Sequence, residues 1–269
     1  MTFTPRLVRT TTLADFKREG RKFTCLTSYD HMTAGIFDEA GIDVLLVGDS
    51  AADNALGYTS TLPITIAEMI PFGRAVASAA KRALVVIDMP FGSYETSDTD
   101  ALNNAIRLMK ESGVAAVKLE GGERSASRIR TITEAGIPVM AHLGFTPQSV
   151  NNLGGFKVQG RGEDGAQLMA DALAVEAAGA FAVVLEMVPA AIAAEISSKL
   201  SIPTIGIGAG RGTDGQILVW TDFAGLSEGK PRKFVKRYAN LRENLIGAVS
   251  EYRDDVASGA FPSADNEFA

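Results

Sequence analysis

The stretch Ala116-Val117-Lys118-Leu119-Glu120-Gly121-Gly122 decides how this chain is read. It has the form of a short strand stopped by two glycines. Side chains alternate between the faces of a strand, so Val117 and Leu119 point one way and Lys118 and Glu120 the other. A lysine and a glutamate on one face of a buried strand are costly to strip of water unless they serve each other or a ligand. Two readings stand at this point: a structural ion pair, or two members of a site.

Working outward, similar apolar runs recur at Phe23-Thr24-Cys25-Leu26, Val44-Leu45-Leu46-Val47, Leu84-Val85-Val86-Ile87, Pro138-Val139-Met140-Ala141, Ala182-Val183-Val184-Leu185, Thr204-Ile205-Gly206-Ile207 and Gln216-Ile217-Leu218-Val219. Helix-like segments lie between them near 31–40, 65–82, 97–112, 123–135, 163–178 and 189–200, several closed by a glycine suited to a C-cap: Gly41, Gly113, Gly136 and Gly179. Near-continuous apolar strands separated by helices imply a parallel sheet. Eight of them in one chain of this length predict an α/β fold of the (β/α)8 TIM barrel type. The runner-up is an open doubly wound sheet, weakened because no G-x-G-x-x-G follows the first strand. No linker interrupts the chain, so one domain over 1–269 is expected, with a frayed polar tail after Gly259. A final helix is expected over about 231–256, where Phe234, Tyr238, Leu241, Leu245, Val249, Tyr252 and Val256 form one apolar stripe. That stripe packs either on its own barrel or at a subunit interface.

Composition narrows the function classes. The chain has 269 residues, 46% of them hydrophobic, and a net charge of −6, which argues against a nucleic-acid surface. Met1 to Thr12 lacks the apolar run of a signal peptide. Runs such as Ala83 to Ile87 are too short to span a membrane, so a cytoplasmic protein is expected. The one cysteine, Cys25, excludes an internal disulfide and has apolar surroundings that suit a core thiol. With only two histidines, His31 and His142, a metal site rich in nitrogen or sulfur is disfavoured. An ion held by oxygen would be Mg2+, Ca2+ or Mn2+.

In a barrel of this type the reactive groups stand at the C-terminal ends of the strands. Those ends carry Asp49 and Ser50, Asp88, Lys118 and Glu120, His142, and Glu186. Any one acid is readable as a helix cap, but four at one mouth require a cation. Asp49, Asp88 and Glu120 come from adjacent strands and form the sensible metal set. Glu186, further round, is free to act as a base with its pKa raised. Lys118 suits a substrate carboxylate, and His142 a donor, a ligand or a satisfied core histidine. Gly206-Ile207-Gly208-Ala209-Gly210 suits either a phosphate cradle or tight packing. The glycine-rich run from Asn151 to Gly162 suits a mobile lid or a surface excursion.

Together, Val47-Gly48-Asp49-Ser50, Ser60-Thr61-Leu62-Pro63, Val117-Lys118-Leu119-Glu120-Gly121-Gly122, His142-Leu143-Gly144-Phe145-Thr146-Pro147-Gln148-Ser149-Val150-Asn151, Lys157-Val158-Gln159-Gly160-Arg161 and Ile205-Gly206-Ile207-Gly208-Ala209-Gly210 resemble the ketopantoate hydroxymethyltransferase family. The resemblance runs from about Thr10 to Pro262. It implies a barrel of the phosphoenolpyruvate/pyruvate superfamily, a Mg2+ ion, 5,10-methylenetetrahydrofolate as cosubstrate, a homodecamer, and the first committed step of pantothenate biosynthesis. By matching motif it implies Asp49, Asp88 and Glu120 as metal positions, Asp49, Ser50, Asp88 and Lys118 as keto-acid contacts, and Glu186 as proton acceptor. One departure is Ala51-Ala52-Asp53-Asn54-Ala55, where many relatives carry a more apolar segment. Rival readings are a Mg2+-dependent carbon–carbon lyase or phosphoenolpyruvate mutase, which Cys25 does not suit, and a catalytically dead barrel that binds a keto acid.

Overall fold

The computed structural model describes residues 7–162 and 164–268. Eight parallel strands close into a barrel in chain order: β1 (Phe23–Thr27), β2 (Val44–Val47), β3 (Leu84–Asp88), β4 (Ala116–Glu120), β5 (Val139–Gly144), β6 (Ala182–Glu186), β7 (Thr204–Ile207) and β8 (Gly215–Leu218). The helices are α1 (Thr10–Arg18), α2 (His31–Glu39), α3 (Ala51–Asn54), α4 (Ile66–Ala79), α5 (Asp98–Ser112), α6 (Ala126–Glu134), α7 (Val150–Leu153), α8 (Asp164–Ala177), α9 (Ala190–Lys199), α10 (Trp220–Phe223) and α11 (Leu241–Ser258).

Local chemistry accounts for the boundaries. Asp30 caps α2 by accepting the Thr33 N–H at 2.8 Å, and Thr65 with Glu68 forms a reciprocal capping box at the start of α4. Gly113 ends α5 with φ of 77°, a left-handed conformation that glycine adopts without strain. Gly41, Gly136 and Gly179 likewise have positive φ. The β2, β3 and β4 residues are all buried, as expected for strands covered on both sides. Asp38, buried at the end of α2, accepts backbone N–H bonds from Lys81, Arg82 and Ala83 and so fixes the entry to β3.

Where one domain was expected over 1–269, the chain divides into two compact units, the barrel up to Val219 and a second unit from Trp220. The final helix starts at Leu241, ten residues later than the apolar stripe predicts. Upstream of it, Tyr238 donates its N–H to the Phe223 carbonyl at 2.8 Å, Leu241 donates to Ala224 at 3.0 Å, and the Phe223 and Tyr238 rings stack at 5.1 Å. Tertiary bonds thus hold Phe234 and Tyr238 outside the helix. On α11 itself Leu245, Val249, Tyr252 and Val256 are exposed. The tail turns back, with Phe261 edge-on to Tyr252 at 5.6 Å. Among the described residues no helix is long and apolar enough to cross a membrane.

Candidate active site

Strand register builds the site. Asp88 stands opposite Lys118, Glu120 opposite His142, and Gly144 opposite Glu186. The predicted residues Asp49, Asp88, Lys118, Glu120 and His142 are all buried, and Glu186 is half-buried, at the C-terminal mouth of the barrel.

Lys118 does not pair with its strand neighbour Glu120. Its Nζ donates to Asp88 Oδ1 at 2.6 Å, with both side chains at or below 5% exposure. Burial alone would push the Lys118 pKa down, but Asp88, Glu120 and Asp49 together hold it above the usual lysine range. Glu120 instead faces His142, whose Nδ1 lies 3.4 Å from Glu120 Oε1 and whose Nε2 lies 3.3 Å from Glu186 Oε2. Neither ring nitrogen is aligned for a hydrogen bond, so these are ion-pair contacts at long range. Burial and Lys118 press the imidazole down, yet the two carboxylates prevail and raise its pKa to about 9. His142 thus stands between two acids that favour its charged form.

Asp49 carries the excess charge. Burial, then Asp88 and Glu120, raise its pKa to about 8, against the opposing pull of Lys118 and Gln148. Its backbone N–H donates to Asp88 Oδ2 at 3.0 Å. Ser50 joins the rim, with its Oγ 2.7 Å from the Tyr29 hydroxyl. A methyl on Gly48 would stand 2.8 Å from that Oγ, so any side chain there would displace the Ser50 hydroxyl. In the departing segment Ala51 and Ala52 are buried and Asp53 to Ala55 are exposed, which leaves the acids untouched.

The donor set fits a hydrated divalent ion. Glu120 Oε1 is buried without a hydrogen bond, and Asp49 Oδ1 has no hydrogen bond among those described. Both oxygens of Asp88 are engaged, by Lys118 and by the Asp49 amide, so Asp88 would bind an ion only through remaining lone pairs. Among the described residues no three acid, histidine or cysteine side chains form a ready-made metal cage. The free oxygens of Asp49 and Glu120 suit a hard divalent cation that takes one or two carboxylates and completes its shell with waters or substrate oxygens.

Two residues of the site carried no role in the sequence reading. Gln148, on a 3-10 turn over Pro147–Ser149, donates its Nε2 to Asp49 Oδ2 at 2.9 Å and to the Met89 carbonyl at 3.0 Å, and its backbone N–H to Glu120 Oε2 at 3.1 Å. Tyr94 donates its hydroxyl to Gln148 Oε1 at 2.5 Å. Gln148 lies inside the quoted motif from His142 to Asn151, the one signal that points to it; Tyr94 has none.

Strain gathers around Glu186. Met187, which follows Glu186, has φ of 49°, unusual for a residue with a side chain. Gly144 has φ of 88°, and a methyl there would meet the Glu186 carbonyl at 2.2 Å. The loop from Asn151 to Gly162 is tied down where it leaves the site: Gln159 donates to the Met187 carbonyl at 3.0 Å, and Phe156 packs on Phe145 at 4.7 Å. It walls a cavity of about 520 Å3 with Gly121, Arg124, Gly144 and Asp171. Gly206, within β7, faces Thr213 and Gln216, and Gly210, just after it, faces Ala190, which favours the packing reading over a phosphate cradle. Cys25 is buried in β1, and burial pushes its thiol well up, away from a nucleophile.

The description ketopantoate hydroxymethyltransferase belongs to a family model that matches residues 7–264. The chain belongs to this family. It is 60% identical over 264 residues to 3-methyl-2-oxobutanoate hydroxymethyltransferase of Leifsonia xyli subsp. xyli, covering 98% of this chain and 95% of that one. It is 58% identical to the enzyme of the same name from Mycobacterium sp. strain KMS, with 98% and 94% covered. Among solved structures it resembles phosphonopyruvate hydrolase in complex with oxalate and Mg2+, with TM-score 0.63, 14% identity, and 97% and 93% covered. It also resembles 2,3-dimethylmalate lyase of the PEP mutase/isocitrate lyase superfamily, with TM-score 0.59, 18% identity, and 97% and 91% covered. At those identities the likeness establishes the fold alone, the eight-stranded barrel that was expected.

Replacing Lys118 by Met leaves Asp88 buried without its partner. Urea unfolding in EDTA is expected to show a loss of about 3–5 kcal/mol. A loss below about 1 kcal/mol, the range of an exposed pair, would contradict the burial argument.

Proposed function

We propose that this chain is a 3-methyl-2-oxobutanoate hydroxymethyltransferase, acting with Mg2+ and 5,10-methylenetetrahydrofolate in pantothenate biosynthesis. The observation that carries the reading is the convergence of Asp49, Asp88, Lys118, Glu120 and Glu186 on one barrel mouth, in a chain 58–60% identical to enzymes of that name. The rival lyase and mutase readings rest on structural likeness of 14–18% identity, which carries no activity. A dead barrel would have no need of a buried acid set that costs stability.

Asp49, Asp88 and Glu120 would hold the ion, and a bound divalent cation supplies Lewis-acid stabilisation of negative charge on the substrate. Lys118, already tied to Asp88, presents its ammonium to the keto-acid carboxylate. Ser50 at the rim offers a hydroxyl to the same substrate. Glu186 takes the C3 proton of the keto acid, leaving an enolate. Water adds to the one-carbon unit of the folate and its two C–N bonds break, releasing tetrahydrofolate and a carbon at the formaldehyde level. C3 of the enolate adds to that carbonyl carbon, whose oxygen takes up a proton to become the hydroxyl of 2-dehydropantoate. His142, braced against Glu186 and Glu120, holds the Glu186 carboxylate in place before it receives the proton.

Self-association completes the reading. The exposed apolar residues of α11 support a subunit contact, and the family resemblance gives the decamer as its form.

Glu186→Gln is expected to slow deuterium exchange at C3 of 3-methyl-2-oxobutanoate, read by NMR without folate, by about 100-fold or more. Exchange at the unaltered rate would remove Glu186 from the role of base. Val249→Asp on α11 is expected to shift sedimentation velocity to smaller species, and an unchanged profile would place the contact elsewhere.

A further inference from the structure

The site contains a closed hydrogen-bond ring whose direction is fixed. Glu120 donates its backbone N–H to the Tyr94 oxygen at 3.2 Å. Tyr94 donates its hydroxyl to Gln148 Oε1. Gln148 spends both amide protons, one on Asp49 Oδ2 and one on the Met89 carbonyl. Its backbone N–H returns to Glu120 Oε2. The Met89 backbone carbonyl only accepts, so the Gln148 NH2 group must face it, beside Asp49, and the amide oxygen must face Tyr94. Burial, Glu120 and Glu95 hold the Tyr94 proton in place, which keeps that hydroxyl a donor.

We propose that Gln148 is a positioning residue for the metal carboxylates, with Tyr94 acting through it. The inference rests on the metal reading given above. Asp49 follows β2 and Glu120 ends β4, two strands separated by β3, and Gln148 is the residue that reaches both, Asp49 through its side-chain amide and Glu120 through its backbone N–H. It pins one oxygen of each acid. The oxygens left over are Asp49 Oδ1 and Glu120 Oε1, the two open to an ion. The choice of a neutral amide follows from electrostatics. A lysine or arginine side chain at 148 would also reach toward Asp49 but would cancel the charge that attracts the cation. Glutamine orients them and leaves the charge in place. Packing alone would require neither the two-acid reach nor the fixed polarity.

The test is Mn2+ binding to the full chain, followed by the electron paramagnetic resonance of free Mn2+. Gln148→Met keeps the length and volume and removes the side-chain hydrogen bonds. It is expected to raise the Mn2+ Kd by about tenfold, equal to about 1.4 kcal/mol. Tyr94→Phe is expected to raise it by about threefold, and the double variant by no more than Gln148→Met alone, because coupled residues are not additive. At saturating Mn2+ the C3 exchange rate of Gln148→Met is expected to recover to within about threefold of the parent, as weakened binding allows and a distorted fold does not. If the parent chain binds Mn2+ and Gln148→Met binds it equally, this proposal is overturned and the metal reading survives. If the parent binds none, the metal reading itself falls. Should Gln148→Met fail to fold, Tyr94→Phe carries the test, and a parent-like Kd in that variant overturns the role of Tyr94.

Discussion

The buried pair of Lys118 and Asp88 sets the terms for everything around it. Two charges at 2.6 Å inside the barrel mouth are stable only because each compensates the other. That compensation is incomplete, since Asp49, Glu120 and Glu186 add three further carboxylates and His142 adds one cation. The residue of uncancelled charge appears at Asp49, whose pKa rises to about 8. A mouth whose acids together push an aspartate's pKa upward is a mouth short of positive charge.

The barrel explains why the shortage is tolerated. Parallel register places Asp88 beside Lys118 and Glu120 beside His142 without any loop having to order them. The polar links that cross between strands, through Gln148 and through His142, come from the β5 end and the turn that follows it. Rigid strands supply the acids, and one short segment, from His142 to Ser149, ties them together.

Much of this was legible in the sequence because strands announce their ends. The alternation in Ala116 to Glu120 placed Lys118 and Glu120 on one face, and the apolar runs located all eight strands. What alternation does not carry is partner choice across strands: the pairing of Lys118 with Asp88 rather than Glu120 is a matter of register, visible only once β3 and β4 are aligned. Tyr94 and Gln148 escaped for a different reason. They sit on irregular segments where no periodicity distinguishes a buried polar side chain from an exposed one. The start of α11 was misplaced because Phe234 and Tyr238 continue its three- and four-residue spacing, while tertiary bonds to Phe223 and Ala224 hold that segment out of the helix.

The central claim is that the open oxygens of Asp49 and Glu120 aim at one divalent ion. Anomalous diffraction from crystals grown with Mn2+ and 3-methyl-2-oxobutanoate tests it most directly. The account predicts a single strong peak within about 2.0–2.3 Å of oxygens from Asp49 or Glu120, or one water removed from them. The keto-acid carboxylate should then lie against Lys118. A peak elsewhere in the barrel, or keto acid bound with no peak in the mouth, would contradict it.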